Sequence, residues 1–562
     1  MSENKVTVFG KNAEERLEIL RDEKGNILLT DDQKRAVLER GRILVSASAG
    51  SGKTSTMVKR IIVMISEGTT LKNLLVLVYN NAAADELKEK LHQELFKAAC
   101  ASSGEKRDRF RQEIDELPFC HICTIHAFCQ SLIRENFDKL GISPTFDVLD
   151  ETRHASYMNR ALDDVIATYT ASGDETFCEL ADIFSQSRKE ENLKSNLIKF
   201  YGLIEIQPDE EEFERCVSEC YDSYENSKFF AILQDYYKTF FANAKNALLP
   251  IKTQLEVLAP TSKYLQSLAV AICFCDELES KSKLFDMCTL ASKYEKPRAT
   301  VSPKASDEEK LLVGYVKDYL KQFHDAIDEM KEICNRQDSL ESAHEQNAKY
   351  VKKLVEVAQT FAKKLEELKQ ADNVLSFEDL QHKALELLSH DEYELSGDFD
   401  AVFVDEYQDV NPTQEAIIRK LVKGECFMVG DVKQSIYGFR LADPAIFISR
   451  QNAYEESVKE GTNVYFNRNF RSAYGILDFV NGVFDSAMTK ASADVDYKKD
   501  ARFELKDVAP VKLEGVSPEG YVQVHLFVKQ KSESVPSFGL YDIEKDEGEE
   551  DDEASSQEGN FI

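Results

Sequence analysis

The stretch "ILVSASAGSGKT" at residues 43–54 decides the fold, because it joins a short apolar run to a glycine-rich turn that ends in Lys-Thr. The apolar start is typical of a β-strand, and Met57, Ile61 and Ile65 downstream recur at helical spacing. The order is therefore strand, loop, helix. Glycines let successive N–H groups point inward at a polyphosphate, and the helix N-terminus adds the positive end of its dipole. The stretch predicts a phosphate-binding loop.

The residues of this loop are the first candidate site. They are Ala47, Ser48, Ala49, Gly50, Ser51, Gly52, Lys53 and Thr54. We expect Lys53 to reach the outer phosphates and the Thr54 hydroxyl to bind Mg²⁺. The general pattern begins with Gly where this chain has Ala47, but the Gly-Lys-Thr that supplies the contacts is retained. A glycine-rich turn that binds no phosphate is the alternative, and the flanking strand and helix disfavour it.

Composition limits the class of protein. A chain of 562 residues is too long for one ordinary core, so several domains are expected. The polar start "MSENKVTVFG" lacks the apolar region of a signal peptide, and no apolar run is long enough to span a membrane. Twelve scattered cysteines then indicate reduced thiols. These features predict a soluble, cytoplasmic protein with no membrane partner.

The net charge of −31 disfavours loose coating of DNA but does not exclude a confined strand-binding groove. Residues 541–562 carry ten acidic residues against one lysine. This segment is too charged and too poor in apolar residues to fold alone, and it is predicted to be a disordered tail.

Short apolar strands are predicted on both sides of one long helical region. The strand-like runs are "LLVLVY" (74–79), "AVFVDE" (401–406), "CFMVGD" (426–431) and "NVYFNRNF" (463–470). They are continuous rather than alternating, as expected of parallel strands that are covered on both faces. Together with the loop they predict an α/β fold with a parallel sheet.

Between about residues 150 and 375 the strand signals nearly vanish and helical spacing takes over. Leu354, Phe361 and Leu365 belong to an apolar stripe that predicts one long packed helix, with a coiled-coil partner site as the weaker alternative. The break "YEKPRATVSPKASDEEK" (294–310) is predicted to divide this region into two helical groups.

The segment "FVDEYQD" (403–409) places two adjacent carboxylates at the end of an apolar strand. Beside the phosphate loop, Asp405 can bind Mg²⁺, and Glu406 can orient and deprotonate the water that attacks the γ-phosphate. In "VGDVKQSIYGFRLAD" (429–443), Gln434 can sense that phosphate, while Tyr437 and Phe439 offer flat faces for stacking of unpaired bases. Ordinary core packing is the alternative for the two aromatic residues.

The segment "CHICTIHAFC" (120–129) contains five Cys and His residues that could be drawn as zinc ligands. Zinc sites usually gather ligands from two separated pairs, and no second pair lies nearby. We therefore disfavour a zinc site here.

Seven segments in order carry a family resemblance. They are "TDDQKRAV", "SASAGSGKT", "VYNNAAADELKEKL", "CTIHAFC", "FVDEYQD", "GDVKQSIYGFR" and "NFRS". Together they resemble the superfamily 1 helicases of the UvrD/RecB group. The segments "TIHAFCQSLIRENF" and "SFEDLQHKALELL" further resemble sequences of the AddA family of helicase-nuclease subunits. The resemblance implies a P-loop (RecA-like) parallel-sheet motor domain with a large all-α insertion and an incomplete second RecA-like domain.

The resemblance also implies a division of the chain. The expected units are a first RecA-like motor domain (1–150 and 376–455), a helical insertion (151–375), the start of a second motor domain (456–540) and the acidic tail (541–562), with the helicase ATP-binding region at about 28–475.

Residue roles follow from matching positions in these motifs. Gln33 would read the adenine edge of ATP, and Gln434 and Arg471 would approach the γ-phosphate as catalytic residues alongside Glu406. The expected DNA-binding residues are Tyr79, Asn81, Thr124, His126, Tyr437, Phe439 and Arg440. The second strand is followed by Asn80-Asn81 and Ala82 where the family usually has Thr-Asn and Lys, so one contact to the DNA backbone is expected to be weaker.

The function implied is an ATP- and Mg²⁺-dependent DNA helicase that moves 3′ to 5′ on single-stranded DNA, acts on double-stranded DNA in break repair and recombination, and pairs with an AddB-like subunit. Later helicase motifs and a nuclease domain are not found after "NFRS". A nucleotide-dependent binding module without unwinding activity is therefore the alternative. A small-molecule kinase is disfavoured, since it would not need the aromatic segment "SIYGFR".

Overall fold

A computed structural model describes residues 13–22, 24–184, 190–224, 227–301, 305–389, 399–457, 459–489, 496–505 and 522. The strands in this part of the chain are β1 (Arg42–Ala47), β2 (Leu74–Val78), β3 (His121–Thr124), β4 (Asp147–Val148), β5 (Val374–Leu375), β6 (Ala401–Val404), β7 (Glu425–Gly430) and β8 (Thr462–Phe466). Six of them form one sheet in the order β3-β2-β6-β7-β1-β8. All five neighbouring pairs are parallel, which confirms the predicted α/β fold with a parallel sheet.

Helices account for most of the remaining described residues. They are α1 (Ala13–Leu17), α2 (Asp31–Leu38), α3 (Lys53–Glu67), α4 (Asn81–Ala101), α5 (Glu105–Glu116), α6 (Ile125–Glu135), α7 (Glu151–Ser172), α8 (Glu175–Phe184), α9 (Glu190–Glu205), α10 (Glu210–Glu219), α11 (Lys228–Leu258), α12 (Tyr264–Glu279), α13 (Leu284–Ser292), α14 (Asp307–Asn335), α15 (Gln337–Ala371), α16 (Phe377–Ser389), α17 (Pro412–Leu421), α18 (Pro444–Glu456) and α19 (Tyr474–Ala487).

The sheet is covered on both faces, as its continuous apolar strands predict. Ile43 and Val45 of β1 pack into a cluster with α3, α4 and α5. Leu44, which points the other way, packs with α6, α16 and α17. Successive side chains of a strand face opposite sides, so a strand buried on both sides must be apolar throughout.

The edge strand β8 differs from the sequence-based division of the chain. Residues 456–540 were expected to begin a second motor domain, whereas β8 pairs with β1 in parallel from Ile43–Thr462 to Ala47–Phe466. An apolar run predicts a strand but carries no information on which sheet it joins. After β8 the described residues hold α19 and a short helical turn, Tyr497–Ala501. The predicted acidic tail, 541–562, lies outside the described residues.

A large helical region is inserted into the sheet domain, and its first and last residues lie next to each other. Its two ends are joined by the short parallel pair β4 and β5, in which Asp147 lies opposite Val374 and Val148 opposite Leu375. Between these strands the chain runs from α7 to α15. The predicted all-α insertion is confirmed.

The helical region has two apolar clusters, but they are not divided as the sequence predicted. One cluster joins α11, α12, α13 and α14, and the other joins α7, α8, α9 and α15. The break at 294–310 therefore lies inside the first group, since α14, which begins within the break at Asp307, packs back on α13. The last helix, α15, carries the predicted apolar stripe, with Phe361 and Leu365 buried in the second group. A break in the sequence marks the end of a helix but not the choice of its packing partner.

Three further features bear on stability and on the class of protein. Arg60 of α3 is 1% exposed and donates to the carbonyl oxygens of Ala36 and Glu39 and to the Glu425 carboxylate. All twelve cysteines lie in the described residues and carry free thiols, as predicted. Among the described helices, none combines the length and apolarity needed to cross a bilayer.

Candidate functional site

The candidate site lies at the carboxyl ends of the central strands, where the loops after β1, β6 and β7 meet. In an open parallel sheet, ligands bind at this edge. Lys53 follows β1, Asp405 and Glu406 follow β6, and Asp431 follows β7. Because β6, β7 and β1 are neighbours, these residues are brought together from distant parts of the chain.

The phosphate loop has the backbone that its glycines predict. Gly50 and Gly52 have φ of +69° and +87°, and Gly52 is the N-cap of α3. A Cβ at Gly52 would lie 3.0 Å from the Gln33 side-chain nitrogen. The Ser51 hydroxyl is buried without a hydrogen-bond partner among the described residues. A helix N-terminus with positive-φ glycines and an unused hydroxyl is suited to receive an anion.

Lys53 faces the carboxylates of the "DE" segment. Its Nζ lies 2.8 Å from the Glu406 Oε2. Glu406 has a φ of +49°, which is uncommon for a residue with a side chain, and its backbone N–H donates to the Asp405 carboxylate at 3.0 Å. The turn holds both carboxylates at the end of β6, directly across from the phosphate loop.

This edge of the sheet carries an excess of negative charge. Burial and the neighbouring Glu406 raise the pKa of Asp405 to about 6. The same two causes raise the pKa of Asp409 to about 6. Gln408 spans the cluster, because its Nε2 donates to Glu406 at 2.9 Å and its Oε1 accepts from the backbone of Asp431 at 2.8 Å. Such a cluster is suited to bind a cation, since a divalent ion would offset the repulsion between the carboxylates.

Gln33 lies beside the phosphate loop with both ends of its amide engaged. Its Nε2 donates to the Ser51 carbonyl at 2.9 Å, and its Oε1 accepts from the Thr30 backbone at 3.0 Å. The second bond completes a capping box at the start of α2. In this structure Gln33 supports the loop, and its role in reading adenine stays a prediction.

Gln434 lies in the loop after β7 and is oriented by a buried carboxylate. Its Nε2 donates to Asp431 at 2.7 Å, and the Lys433 Nζ donates to the other oxygen at 2.6 Å. Asp431 is 1% exposed. The direction of Gln434 is therefore determined by Asp431, which the sequence analysis did not identify.

The "NFRS" segment is hydrogen-bonded to backbone carbonyl oxygens of the phosphate loop. The Asn469 Nδ2 donates to the Ala49 carbonyl at 2.8 Å, and the Phe470 N–H donates to the Gly50 carbonyl at 2.9 Å. Asn469 Oδ1 in turn accepts from the Arg471 N–H at 2.7 Å. A Cβ at Gly50 would lie 2.8 Å from the Cβ of Arg471. The structure thus brings Arg471 directly against the loop.

Three predicted DNA-contacting aromatic residues form one group. Tyr79 stacks on Tyr437 with ring centroids 4.7 Å apart, and Tyr437 meets Phe439 at 5.8 Å. Phe439 is 76% exposed, so the core-packing alternative does not hold for it. The three rings line a cavity of about 450 Å³ that also contacts His126. Exposed rings beside a cavity are suited to stack on unpaired bases.

The remaining DNA candidates have different surroundings. The His126 Nε2 accepts a hydrogen bond from the Gln381 Nε2 at 3.2 Å, and burial lowers the pKa of His126. Thr124 is the N-cap of α6, where its hydroxyl accepts from the Ala127 N–H. Asn81 is exposed in the first turn of α4. The side chain of Arg440 lies outside the described residues.

The disfavoured zinc ligands at 120–129 do not form a metal-binding group among the described residues. Burial raises the pKa of the Cys123 thiol to about 11 and raises that of Cys129 further. These thiols are kept neutral by their apolar surroundings, which is the usual state of buried cysteine.

Comparison with known families decides the classification. Residues 29–455 match the family model described as the UvrD/REP helicase N-terminal domain. The chain belongs to the UvrD/REP helicase family. Membership of this family implies the use of a nucleotide, in agreement with the phosphate loop after β1.

Individual relatives of this UvrD/REP family chain are described as ATP-dependent helicase/nuclease subunits. The protein of Enterococcus faecalis is 30% identical over 513 residues, which cover 85% of this chain and 40% of the relative. The protein of Bacillus velezensis is 31% identical over 509 residues, covering 85% and 41%. That of Listeria welshimeri is 29% identical over 566 residues, covering 95% and 44%. The chain thus spans about 40% of the length of the relatives that it matches.

Several polar residues that shape this helicase-family site were missed by the sequence analysis. Gln408, Asp431 and Asn469 each hold a predicted site residue in place through side-chain hydrogen bonds. All three lie inside segments already quoted as motifs, so the signal that could have found them was their position within those motifs. Gln381, which contacts both His126 and Asn411, lies in "SFEDLQHKALELL" and had no chemistry assigned.

Proposed function

We propose that this chain is the ATP-binding portion of a DNA helicase of the AddA type, which couples ATP hydrolysis to 3′-to-5′ movement on single-stranded DNA during double-strand-break repair and recombination. The observation that carries the proposal is the 2.8 Å contact between Lys53 of the phosphate loop and Glu406 at the end of β6. This contact supports a single site in which the Lys53 ammonium group, which would bind phosphate, faces Glu406, which would act as the catalytic base. Helicase family membership supports the same reading.

The residues present fit a nucleotide with a divalent ion. Thr54 and Asp405 would hold Mg²⁺, and the ion would neutralise charge on the phosphates. The backbone of residues 47–54 would bind the phosphates, and Lys53 would add one full positive charge. The excess of carboxylates at Asp405, Glu406 and Asp409, described above, supports a cation at this edge.

The chemistry assigned to the protein itself is proton transfer and orientation. Glu406 would accept a proton from the attacking water, and its fixed turn geometry supports a single direction of attack. Gln434, held by Asp431, would contact the terminal phosphate. Arg471 would sense the same phosphate, since its segment is hydrogen-bonded to Ala49 and Gly50 of the loop.

The strand-binding part of the proposal rests on the stacked rings. Tyr79, Tyr437 and Phe439 would stack on bases of single-stranded DNA, with His126 in the same cavity wall. Asn81, Thr124 and Arg440 would contact the strand at its edges. The relatives are each described as one subunit of a helicase/nuclease, which supports a multi-subunit assembly, and we propose an AddB-like partner and double-stranded DNA as the natural substrate.

The domain division is part of the same proposal. Residues 1–150 and 376–455 would form the first motor domain, extended by β8, and residues 151–375 the helical insertion. Chain beyond β8 would belong to a second motor domain. The β4 and β5 pair at the base of the insertion supports the boundaries near 150 and 375.

Nucleotide binding is tested with Lys53→Ala. Loss of a charged donor to phosphate removes about 1.5–3 kcal/mol, which is about a 10- to 150-fold rise in Kd. We would measure Kd for a fluorescent ATP analogue by anisotropy, because the chain contains no tryptophan for energy transfer. Lys72→Ala, which removes an exposed lysine paired with Glu116, is the matched control and should bind normally. Unchanged affinity in the Lys53 variant would refute the phosphate-loop assignment.

Catalysis is tested with Glu406→Gln, which keeps the shape of the side chain but cannot accept a proton. ATP affinity should stay within a few-fold, and steady-state phosphate release should fall about 10²–10⁴-fold. The assay is run with and without single-stranded DNA, on the chain alone and on a fusion to the remaining domains of an AddA-type relative. Without the substitution, phosphate release that is absent from the chain alone but present in the fusion favours the helicase.

Without the substitution, phosphate release that is absent from both the chain and the fusion favours the alternative of a nucleotide-dependent binding module.

A further inference from the structure

Three side chains that the proposed function does not use meet at the wall of the central cavity. His154 lies on α7, Glu205 is the last residue of α9, and Glu378 lies in the first turn of α16. The His154 Nδ1 is 4.0 Å from the Glu378 Oε2. One nitrogen or oxygen atom from each residue lies within 4.8 Å of the other two, and all three residues line the cavity.

Each of the three residues has a buried polar atom without a hydrogen-bond partner in the described part of the chain. These atoms are the His154 Nε2, the Glu205 Oε1 and the Glu378 Oε2. Glu205 is only 7% exposed. A buried polar atom normally has a partner, so three residues with such atoms in one cluster point to a ligand-binding site at this place.

The nearby cation does not provide that partner. Lys369 is 3% exposed, but its Nζ lies 2.7 Å from the Asp379 carboxylate, and that ion pair occupies it. The cavity wall contains six carboxylates and no lysine or arginine among its described lining residues. An acidic cavity without its own basic residue attracts a soluble cation.

We propose that His154, Glu205 and Glu378 bind a divalent transition-metal ion, with Zn²⁺ as the ion that this donor set fits best. One imidazole nitrogen and two carboxylate oxygens are ligands that zinc takes at about 2.0–2.2 Å, in sites where three protein ligands leave one position open. Tetrahedral geometry at those lengths puts ligands about 3.3–3.6 Å apart. The ligand atoms, which lie within 4.8 Å of one another, would therefore approach by up to about 1.5 Å on binding the ion.

The ion would join the helical insertion to the sheet domain. His154 and Glu205 come from the insertion, whereas Glu378 lies in the first turn of α16, the helix that leads back towards β6 and the Asp405 turn. The proposed zinc ligands are different residues from the proposed Mg²⁺ ligands, Thr54 and Asp405. The zinc proposal does not depend on the proposed function. The open coordination position of the ion would face the cavity.

A proton is the competing occupant. Burial raises the pKa of Glu205 well above its usual range, so a protonated carboxyl could donate to a neighbouring acceptor. A metal ion requires the opposite state, with both carboxylates ionised. Direct measurement of metal binding separates the two.

The test uses the full chain carrying Asp405→Asn, which weakens the proposed Mg²⁺ site, after removal of metal with a chelator. Zn²⁺ is titrated by calorimetry at neutral pH. We expect one equivalent to bind, with at least tenfold weaker binding after Glu205→Gln, Glu378→Gln or His154→Ala. Glu151→Gln, which changes another carboxylate of the same cavity, is the matched control and should bind Zn²⁺ normally. No Zn²⁺ binding by the Asp405→Asn chain, or full binding by the Glu205→Gln variant, would overturn the proposal.

Two further measurements separate loss of the zinc site from poor folding of a variant, and zinc at this site from zinc bound elsewhere in the chain. Zn²⁺ should raise the Tm of the Asp405→Asn chain and leave the Tm of the Glu205→Gln variant unchanged. X-ray absorption of the zinc-loaded chain should show only nitrogen and oxygen ligands with one imidazole. Sulfur ligands would assign the ion to the cysteines and would refute the proposed site.

Discussion

Gly50 is the position at which the phosphate loop and the "NFRS" segment are in closest contact, and Gly50→Ala tests whether that contact matters. The new methyl group would lie 2.8 Å from the Cβ of Arg471 and 3.2 Å from the Asn469 side chain. The Arg471 Cβ is bonded to the backbone and cannot rotate away, and the Asn469 amide is held by its hydrogen bonds with the Ala49 carbonyl and the Arg471 N–H. The loop and the segment must therefore move apart.

The size of the effect follows from a comparison with Gly41→Ala. Gly41 has a φ of +89°, close to the +69° of Gly50, but a Cβ there would meet nothing within 4 Å. Both substitutions carry the strain of alanine in the left-handed region, about 1–2 kcal/mol. Only Gly50→Ala adds overpacking, about 1–3 kcal/mol, and weakens the 2.9 Å bond from Phe470 N–H to the Gly50 carbonyl.

Thermal unfolding and ATP-analogue anisotropy measure the two consequences. We expect Gly50→Ala to unfold at a lower temperature than Gly41→Ala, because its extra cost is about 1–3 kcal/mol. We also expect Kd for the analogue to rise about tenfold or more in Gly50→Ala and to stay unchanged in Gly41→Ala, since only the first substitution displaces the N–H groups that surround the phosphates. Equal stability and equal affinity of the two variants would refute the inferred contact between the loop and Arg471.

Two further predictions concern the aromatic group and the buried arginine. Replacing both Tyr437 and Phe439 by Ala should weaken single-stranded DNA binding by about 1–3 kcal/mol per lost base contact, measured by anisotropy of a labelled oligonucleotide. Phe119→Ala removes a ring that is 74% exposed on the same domain, so an equal loss in this control would contradict specific stacking. Arg60→Met should lower the free energy of unfolding in urea by about 3–5 kcal/mol, because it leaves two carbonyl oxygens and Glu425 without their buried donor. A loss below about 1 kcal/mol would show that Arg60 is replaceable.

Local chemistry made much of the sheet and part of the site predictable. A glycine-rich turn between an apolar strand and an amphipathic helix is typical of a phosphate-binding loop. Continuous apolar strands imply a sheet that is covered on both faces. The carboxyl ends of parallel strands meet at one edge, so Asp405 and Glu406 were expected beside Lys53. The observed 2.8 Å contact agrees with that geometry.

What could not be predicted depends on contacts between distant segments. The apolar run at 463–466 predicts a strand but does not specify its partner strand. Its pairing with β1 is seen only in the folded structure. The same holds for α14, because its apolar residues do not specify α13 as the neighbouring helix.

The metal-binding group illustrates this most clearly. His154, Glu205 and Glu378 are separated by about 50 and 170 positions and lie on three different helices, so no local spacing marks them. In a chain with 101 acidic residues, two glutamates carry no signal by themselves. Burial without partners is what distinguishes them, and burial is a property of the folded chain.

The β4 and β5 pair has a consequence for the order of folding. It closes a loop of more than 220 residues, from Val148 to Val374, and in an unstructured chain such a closure costs about 5 kcal/mol of entropy. The pairing of β2 with β6 lies beyond the same loop. If the helical region folds first, the two ends of that loop are already close together and most of the cost is removed. In that case the central sheet is completed late, and a substitution that destabilises the contact between α7 and α15 should slow assembly of the proposed nucleotide site without changing any of its residues.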